Sequence, residues 1–220
     1  ASAPNDRLRD YDTIVLAVKP QVLKDVAQAL QPHLIGQLVI SIAAGIRAPD
    51  LARWLGGHNQ IVRCMPNTPA LIGMGITGLA ALSGVDSDQR KRAETVLGAA
   101  GQIVWVEKES QLDAVTAISG SGPAYVFYFI EALEQAANEL GFSPEQARQL
   151  AIATFTGASQ LAAQSSEPAS VLRERVTSKG GTTFAALSSF ERDAIKAAIV
   201  RGVHAANTRA KELGDELGDA

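Results

Sequence analysis

Short apolar runs alternate with amphipathic helical patterns over the first half of the chain. The runs at 13–18, 38–42 and 60–65 are rich in β-branched residues and typical of strands buried on both faces of a parallel sheet. A helical pattern follows each of the first two runs, and Pro20 can begin the first of these helices. Strands that alternate with helices predict βαβ units with right-handed crossovers.

The pattern changes after residue 109. Residues 72–82 predict another extended segment, 86–98 a surface helix and 103–106 a last strand, after which alanine-rich helical patterns take over. We therefore expect two domains, 1–108 and 109–220. Within the second, Ser143-Pro144 with Gln146 predicts a helix start with a capping box, and a final helix is expected from Asp193 to Leu213.

One helix of the second domain is apolar around most of its circumference. It is expected to start near Pro123 and carries the apolar run 125–130. Such a helix has to be covered on all sides. The few charges in this part of the chain favour burial against a second subunit.

Unusual residues lie at the ends of the first three predicted strands, at 17–20, 43–45 and 66–69. In open α/β sheets ligands bind outside the carboxyl ends of the strands, so these segments indicate the rim of a binding crevice. The alternative is that loops use Gly, Pro and Asn for turn geometry alone.

Two segments of the second domain suggest a binding site. Residues 176–183 form a glycine turn, rich in hydroxyls, that runs into a helical pattern. Its amides could hold a small anion, and Thr182 or Thr183 could cap the helix. A glycine loop with a simple N-cap is the alternative. In residues 113–125 a helix is interrupted by small residues and restarts at Pro123, which would let a ligand or another backbone approach closely.

Composition narrows the function classes. The chain has 220 residues, 46% of them hydrophobic, and a formal charge of −3, so it offers no global attraction to nucleic acid or an anionic membrane. Its single cysteine, Cys64, excludes an internal disulfide and fits the cytoplasm. No apolar run approaches the roughly twenty residues of a membrane span, and we expect no signal peptide.

Both segments of the second domain resemble the pyrroline-5-carboxylate reductase family. The residues at 17–20, 41–45 and 63–69 match the same family, in the same order. The resemblance implies an α/β fold: an incomplete Rossmann-like parallel sheet domain followed by an all-α dimerisation domain. It also implies a homodimer interlocked through the C-terminal helices, often within a larger ring of dimers, a decamer.

The implied reaction is the reduction of L-1-pyrroline-5-carboxylate to L-proline, the last step of proline biosynthesis, with hydride from NADPH or NADH. The substrate is a cyclic imine with one carboxylate. When protonated, its C=N carbon is already electrophilic, so the site has to position two planar partners and hold an anion, with no strong base and no metal. The three histidines, His33, His58 and His204, lie in no catalytic motif.

The family match also assigns site residues. The amides of 178–183 would hold the carboxylate, and the Thr183 hydroxyl would hydrogen-bond the ring nitrogen as the catalytic contact. Glu167 lies near the position of a family acidic residue. Ser119 and Ser121 could face the nicotinamide or simply satisfy the break between the helices. The substrate-binding set is Ser178, Gly180, Gly181, Thr182, Thr183 and Glu167. The cofactor-lining set is Asn5, Ala17, Val18, Lys19, Pro20, Ala43 and Ala44. Asn67 would brace the crevice floor or stabilise its own turn.

The chain departs from the family pattern at its start. A dinucleotide-binding fold normally opens with a strand and a G-x-G-x-x-G turn, which this sequence lacks. By the remaining motifs it resembles a reductase without its first roughly fifty residues. We therefore expect weak nicotinamide dinucleotide binding, or none.

Two alternatives stay open at this point. One is a chain that acts only as an oligomerisation module. The other is a relative of the β-hydroxyacid dehydrogenases, which use a helix lysine as acid or base. No lysine lies between Lys108 and Lys179, which argues against the second alternative.

Overall fold

The computed structural model describes residues 4–218. They form two compact units. One consists of residues 4–123 together with 203–218, and the other of residues 124–202. Residues 109–123 therefore pack with the α/β part of the chain.

The first unit is an α/β sandwich. Its elements are β1 (Thr13–Leu16), α1 (Pro20–Leu30), β2 (Leu38–Ser41), α2 (Ala48–Trp54), β3 (Ile61–Met65), β4 (Gly75–Ala81), α3 (Ser87–Gly98), β5 (Gly101–Trp105) and α4 (Gln111–Val115). Short 3₁₀ turns span Asp6–Asp10, Gln31–His33 and Thr68–Ile72. A π-helical turn, Thr116–Gly120, continues α4.

The five strands form one sheet in the order β1-β2-β3-β4-β5. Three of the four pairings are parallel, but β3 and β4 are antiparallel. The connection between Met65 and Gly75 is shorter than the dozen or so residues that a parallel crossover needs, so the chain turns back on itself there. The expected α/β fold class is confirmed, with a mixed sheet in place of a purely parallel one.

Both faces of the sheet are buried, as the continuous apolar runs predicted. Val39 and Ile61 belong to a core cluster with α1 and α2, which contribute Leu23 and Leu51 among others. The residues next to them in β2 and β3 point to the other face of the sheet and belong to a second cluster. That cluster consists of Leu38, Ile40, Val62, Cys64, Leu79, Val85 and Ala93. Successive strand residues point to opposite faces, so both cores depend on the same strands.

The second unit is entirely helical. Its elements are α5 (Gly122–Glu139), which begins at the end of the first unit, α6 (Pro144–Gln164), α7 (Ala169–Arg175), α8 (Thr182–Arg192) and the first part of α9 (Ile195–Gly218). The predicted capping box at Ser143 is confirmed: its hydroxyl accepts the N–H of Gln146, whose side chain accepts the N–H of Ser143. The rings of Phe129 and Phe155, with centroids 6.5 Å apart, join α5 to α6.

Helix α9 differs from the expected span of Asp193 to Leu213. It begins at Ile195, because Ala194 adopts a left-handed conformation with φ of 53° and separates it from α8. It then continues to Gly218, within the first unit.

Many large apolar side chains of the helical unit are exposed in the single chain. They include Val126, Phe127, Tyr128, Leu133, Leu140, Leu150, Leu161, Val176, Phe184 and Phe190. A surface of this kind is typical of a protein interface. None of the helices within residues 4–218 has the length and apolar character needed to cross a membrane.

Candidate active site

The ends of β1, β2 and β3 lie side by side and form the predicted rim. Leu16 pairs with Ser41 in the parallel register, and Ser41 pairs with Arg63. The Ile42 N–H donates to the Leu16 carbonyl at 3.1 Å, which brings the loop after β2 against the loop after β1. The structure therefore brings residues 17–20 and 43–44 to one edge of the sheet.

The rim residues differ in what they present. Ala17, Lys19 and Ala44 are exposed, whereas Ala43 is buried in the core cluster beside α1 and α2. Small exposed residues let a ligand reach the backbone, and the lysine adds a positive charge. Ala43 supports the loop from the core side.

Asn5, the remaining residue predicted to line the cofactor, lies away from the strand-end rim. Its side chain accepts the Arg7 N–H at 3.1 Å as the cap of the Asp6–Asp10 turn. The next residue, Asp6, contacts His33 Nδ1 at 2.9 Å, in the turn that leads into β2. Asn5 is therefore near the amino ends of the strands, and its cofactor role stays a prediction.

Asn67 connects two elements at the end of β3. Its Oδ1 accepts the Ile76 N–H at 2.9 Å and so joins the 3₁₀ turn Thr68–Ile72 to the start of β4. This contact agrees with the turn-stabilising interpretation of the asparagine.

A largely buried charge cluster, formed by Arg63, Glu109 and Asp113, lies next to the rim. The sequence interpretation missed it. The Arg63 side chain is 6% exposed, and its guanidinium lies 3.0 Å from Glu109 Oε1 and 3.8 Å from Asp113 Oδ1. Glu109 Oε1 also accepts the N–H of Ala48, the first residue of α2, at 2.6 Å. Through these contacts Glu109, just before α4, links β3 to the start of α2. A charged residue in the middle of an apolar strand was the signal that could have revealed this cluster.

The predicted helix break is a π-helical turn. The Ser121 N–H donates to the Thr116 carbonyl at 2.8 Å, five residues back. The Ser119 hydroxyl donates to the Val115 carbonyl at 3.1 Å, so this serine helps to satisfy the break itself. Gly120 packs closely against Met65, since a Cβ there would lie 2.7 Å from the Met65 Cε. Such turns are frequent at functional sites.

The glycine turn of the helical unit precedes α8 as expected. Gly180 has φ of 75°, which favours glycine, and the Gly181 N–H donates to the Ser178 carbonyl at 3.0 Å. The prediction that Thr182 or Thr183 caps the helix is wrong. Gly181 is the N-cap, no side chain caps the helix, and both threonines lie in its first turn. The first N–H groups of a helix have no partner within the helix, as an anion site requires.

Glu167 is already paired within the helical unit. Its two carboxylate oxygens contact Arg175 at 2.6 and 2.7 Å in a bidentate pair. The pair holds α7 against the segment that precedes it. Arg175, which comes shortly before the glycine turn, was not anticipated from the sequence.

Comparison with known proteins identifies the family. A family described as pyrroline-5-carboxylate reductase dimerisation matches residues 109–213, and one described as NADP oxidoreductase, coenzyme F420-dependent, matches residues 1–45. A pyrroline-5-carboxylate reductase of Pseudomonas aeruginosa is 46% identical over 97% of this chain and 78% of its own length. The chain belongs to the pyrroline-5-carboxylate reductase family.

Solved reductases of this family have the same fold. The enzyme of Coxiella burnetii matches with a TM-score of 0.90 at 41% identity, over 95% of this chain and 79% of its own. That of Plasmodium falciparum, solved with NADP bound, matches with a TM-score of 0.88 at 36% identity, over 97% of this chain and 81% of its own. The resemblance inferred from the motifs, and the fold class it implied, are confirmed.

The cysteine and two of the histidines have structural roles. Burial raises the pKa of the Cys64 thiol to about 12, so this cysteine stays protonated and unreactive. Within residues 4–218, no three His, Cys, Asp or Glu side chains form a group that could hold a metal ion. His33 and His58 are engaged with Asp6 and with the Gln37 carbonyl, respectively.

Proposed function

We propose that this chain reduces L-1-pyrroline-5-carboxylate to L-proline with hydride from NADPH or NADH. The observation that carries the proposal is the 46% identity to the Pseudomonas reductase over 97% of the chain. The Plasmodium neighbour with NADP bound supports the cofactor class. The alternatives of an oligomerisation module and of a β-hydroxyacid dehydrogenase relative are favoured by none of the comparisons.

The cofactor would lie along the strand-end rim. Ala17 and Ala44 would approach it with their backbone, Lys19 would face its phosphates, and Val18, Pro20 and Ala43 would shape the two loops. Exposed small residues at the carboxyl ends of adjacent parallel strands support this assignment. The reduced nicotinamide supplies the hydride when bound.

The substrate carboxylate would be held by the glycine turn. The turn leads into the N-terminus of α8, where the helix dipole favours an anion, and its amides other than that of Gly181 would donate to the carboxylate. Lys179 is exposed in the same turn and adds a positive charge. Arg175 neutralises Glu167, so this carboxylate repels the substrate less than a free one would.

The half-buried Thr183 would hydrogen-bond the ring nitrogen. A hydroxyl can accept from the protonated imine and then donate to the amine that forms, so it orients the ring through the transfer. No strong base is needed, because hydride addition neutralises a positive charge on the substrate.

We also propose a dimer formed through the C-terminal helices, within a decamer, in the cytoplasm. The family match to residues 109–213 and the exposed apolar side chains of α5 and α6 support the dimer. The same match supports a dimerisation and substrate domain from 109 to 220 after a nucleotide domain from 1 to 108. The free Cys64 thiol fits a reducing compartment.

The test is NADPH oxidation in the presence of the cyclic imine, followed by absorbance. Thr183→Ala should lower kcat about 10- to 100-fold, as expected for one lost contact to the reacting group. Ser188→Ala, an exposed hydroxyl farther along α8, is the matched control and should retain activity. Equal kinetics for the two variants would remove Thr183 from the mechanism, and the absence of any turnover by the unsubstituted protein would overturn the function.

A further inference from the structure

The last two turns of α9 pack on the loop between β2 and α2. Leu217 contacts the core cluster that contains Ala43 and Ile46. Gly45, with φ of 76°, lies directly under it, because a Cβ at this glycine would be 2.8 Å from Leu217 Cδ1. The end of the helix thus covers the loop that carries two of the predicted cofactor-lining residues.

Two arginines fasten the helix end to α2. Arg47 Nη2 lies 2.7 Å from Asp215 Oδ1 and 3.4 Å from the Lys211 carbonyl. Arg53 Nη2 donates to the Gly218 carbonyl at 2.9 Å. The Gly218 carbonyl lies in the last turn and lacks a partner within the helix, and positive charges are favourable there.

Two glycines on one face of α9 make this approach possible. A Cβ at Gly214 would lie 3.0 Å from both Nε and Nη2 of Arg47. A Cβ at Gly218 would lie 2.5 Å from Asp50 Oδ2. A larger residue at either position would displace the end of the Arg47 or Asp50 side chain and so disturb the polar contacts at the junction of α9 and α2.

The loop is therefore held at one end and in its middle. Glu109 accepts the N–H of Ala48 at its far end, and α9 covers its middle at Gly45 and Arg47. A loop ordered before binding does not have to lose that freedom when the ligand arrives, so preorganisation raises affinity.

We propose that the end of α9 is a positioning element that orders the loop 42–47 and, through it, sets the affinity for the nicotinamide dinucleotide. This inference rests on the proposed function. Leu217, Gly214 and Asp215 act through the loop and do not touch the cofactor.

The test combines hydrogen exchange with kinetics. In Gly214→Ala and Leu217→Ala, amide exchange of residues 43–48 should accelerate about 10-fold, as expected when local packing is lost. The KM for NADPH should rise about 5- to 20-fold, while kcat and the KM for the imine stay within about two-fold. Asp215→Asn should also accelerate the exchange and raise the KM for NADPH, but less than the other two variants do. Its ion pair with Arg47 is partly exposed and therefore contributes less.

Glu212→Gln is the matched control for Asp215→Asn. It removes a carboxylate from the same helix, but one that pairs with Arg209 of α9 itself. Exchange and KM should not change. Gly214→Ala also separates positioning from simple destabilisation, since alanine favours a helix interior over glycine.

Two results would overturn the inference: unchanged exchange at 43–48 in Gly214→Ala and Leu217→Ala, or an equal loss in kcat and in both KM values. If the unsubstituted protein shows no turnover, the proposed function fails. The exchange measurement then still decides whether α9 orders the loop.

Discussion

Arg63 and Glu109 form an ion pair, with 3.0 Å between Nη1 and Oε1, that joins the middle of β3 to the residues just before α4; the Arg63 side chain is buried and that of Glu109 is 23% exposed. The same Glu109 oxygen receives the N–H of Ala48, so one carboxylate fixes the start of α2 as well. Asp113 adds a second negative charge near the guanidinium. The pair connects the strand-end rim with the helix that leads into the π-helical turn.

Replacement of Arg63 should be strongly destabilising. Arg63→Met leaves the buried Asp113 and the partly exposed Glu109 without their counter-charge, which costs up to about 3–5 kcal/mol of the free energy of unfolding. Urea unfolding, followed by tryptophan fluorescence at fixed protein concentration, would measure it. Arg92→Met is the control, because Arg92 and Asp12 are both exposed and such pairs contribute at most about 1 kcal/mol. Similar losses in both variants would contradict the assignment.

Cys64 should make the fold sensitive to alkali. Its pKa rises from 9.0 to about 12 on burial, so above pH 9 the unfolded chain releases a proton that the folded chain keeps. The free energy of unfolding should then fall by about 1.4 kcal/mol per pH unit between pH 9 and pH 12. The comparison is with Cys64→Ala, which lacks this contribution.

The two stability curves against pH should converge as the pH rises from 9 towards 12. Parallel curves would show that the thiol is not the cause. A thiol reagent should also label Cys64 at pH 8 only at the rate at which the protein unfolds, because the side chain is 1% exposed.

Gly78 should not tolerate a side chain. A Cβ at this position of β4 would lie 2.7 Å from Val115 Cγ1 and 3.1 Å from Leu112 Cδ2, both on α4. Valine in a helix has one strongly preferred rotamer and cannot move aside easily. Gly78→Ala should cost about 1–3 kcal/mol in thermal or urea unfolding. Gly98→Ala, at an exposed helix end with no neighbour within 4 Å, should be neutral or slightly stabilising, and a loss as large as that of Gly78→Ala would refute the packing argument.

Self-association should depend on the exposed apolar side chains of the helical unit. Leu161 of α6 is 69% exposed in the single chain, and Leu161→Lys would place a charge in an apolar interface. The dissociation constant should rise about 30-fold or more, as for an interface hot spot. Light scattering across a dilution series would report it. Gln164→Lys, an exposed polar position in the same helix, should leave the mass unchanged; if Leu161→Lys does the same, Leu161 is outside the interface.

Local sequence patterns were sufficient to predict the elements that interactions between neighbouring residues determine. The buried strands followed from their apolar runs, and the start of α6 from Ser143, Pro144 and Gln146, because a capping box satisfies backbone donors within four residues. The cap of α8 was not predictable in the same way. Hydroxyls at 182 and 183 could have capped the helix, and the turn at Gly180 gave that position to Gly181 instead.

The sequence by itself determined the alternation of strands and helices, the change to helices after residue 109 and the family motifs, because periodicity and caps depend on neighbouring residues. Only the tertiary structure decided that β4 runs antiparallel to β3, that Arg63 meets Glu109 and that Leu217 covers Gly45. The partners can be far apart in the sequence, as Gly45 and Leu217 are. Their contacts depend on how the elements pack in space, which no local pattern encodes.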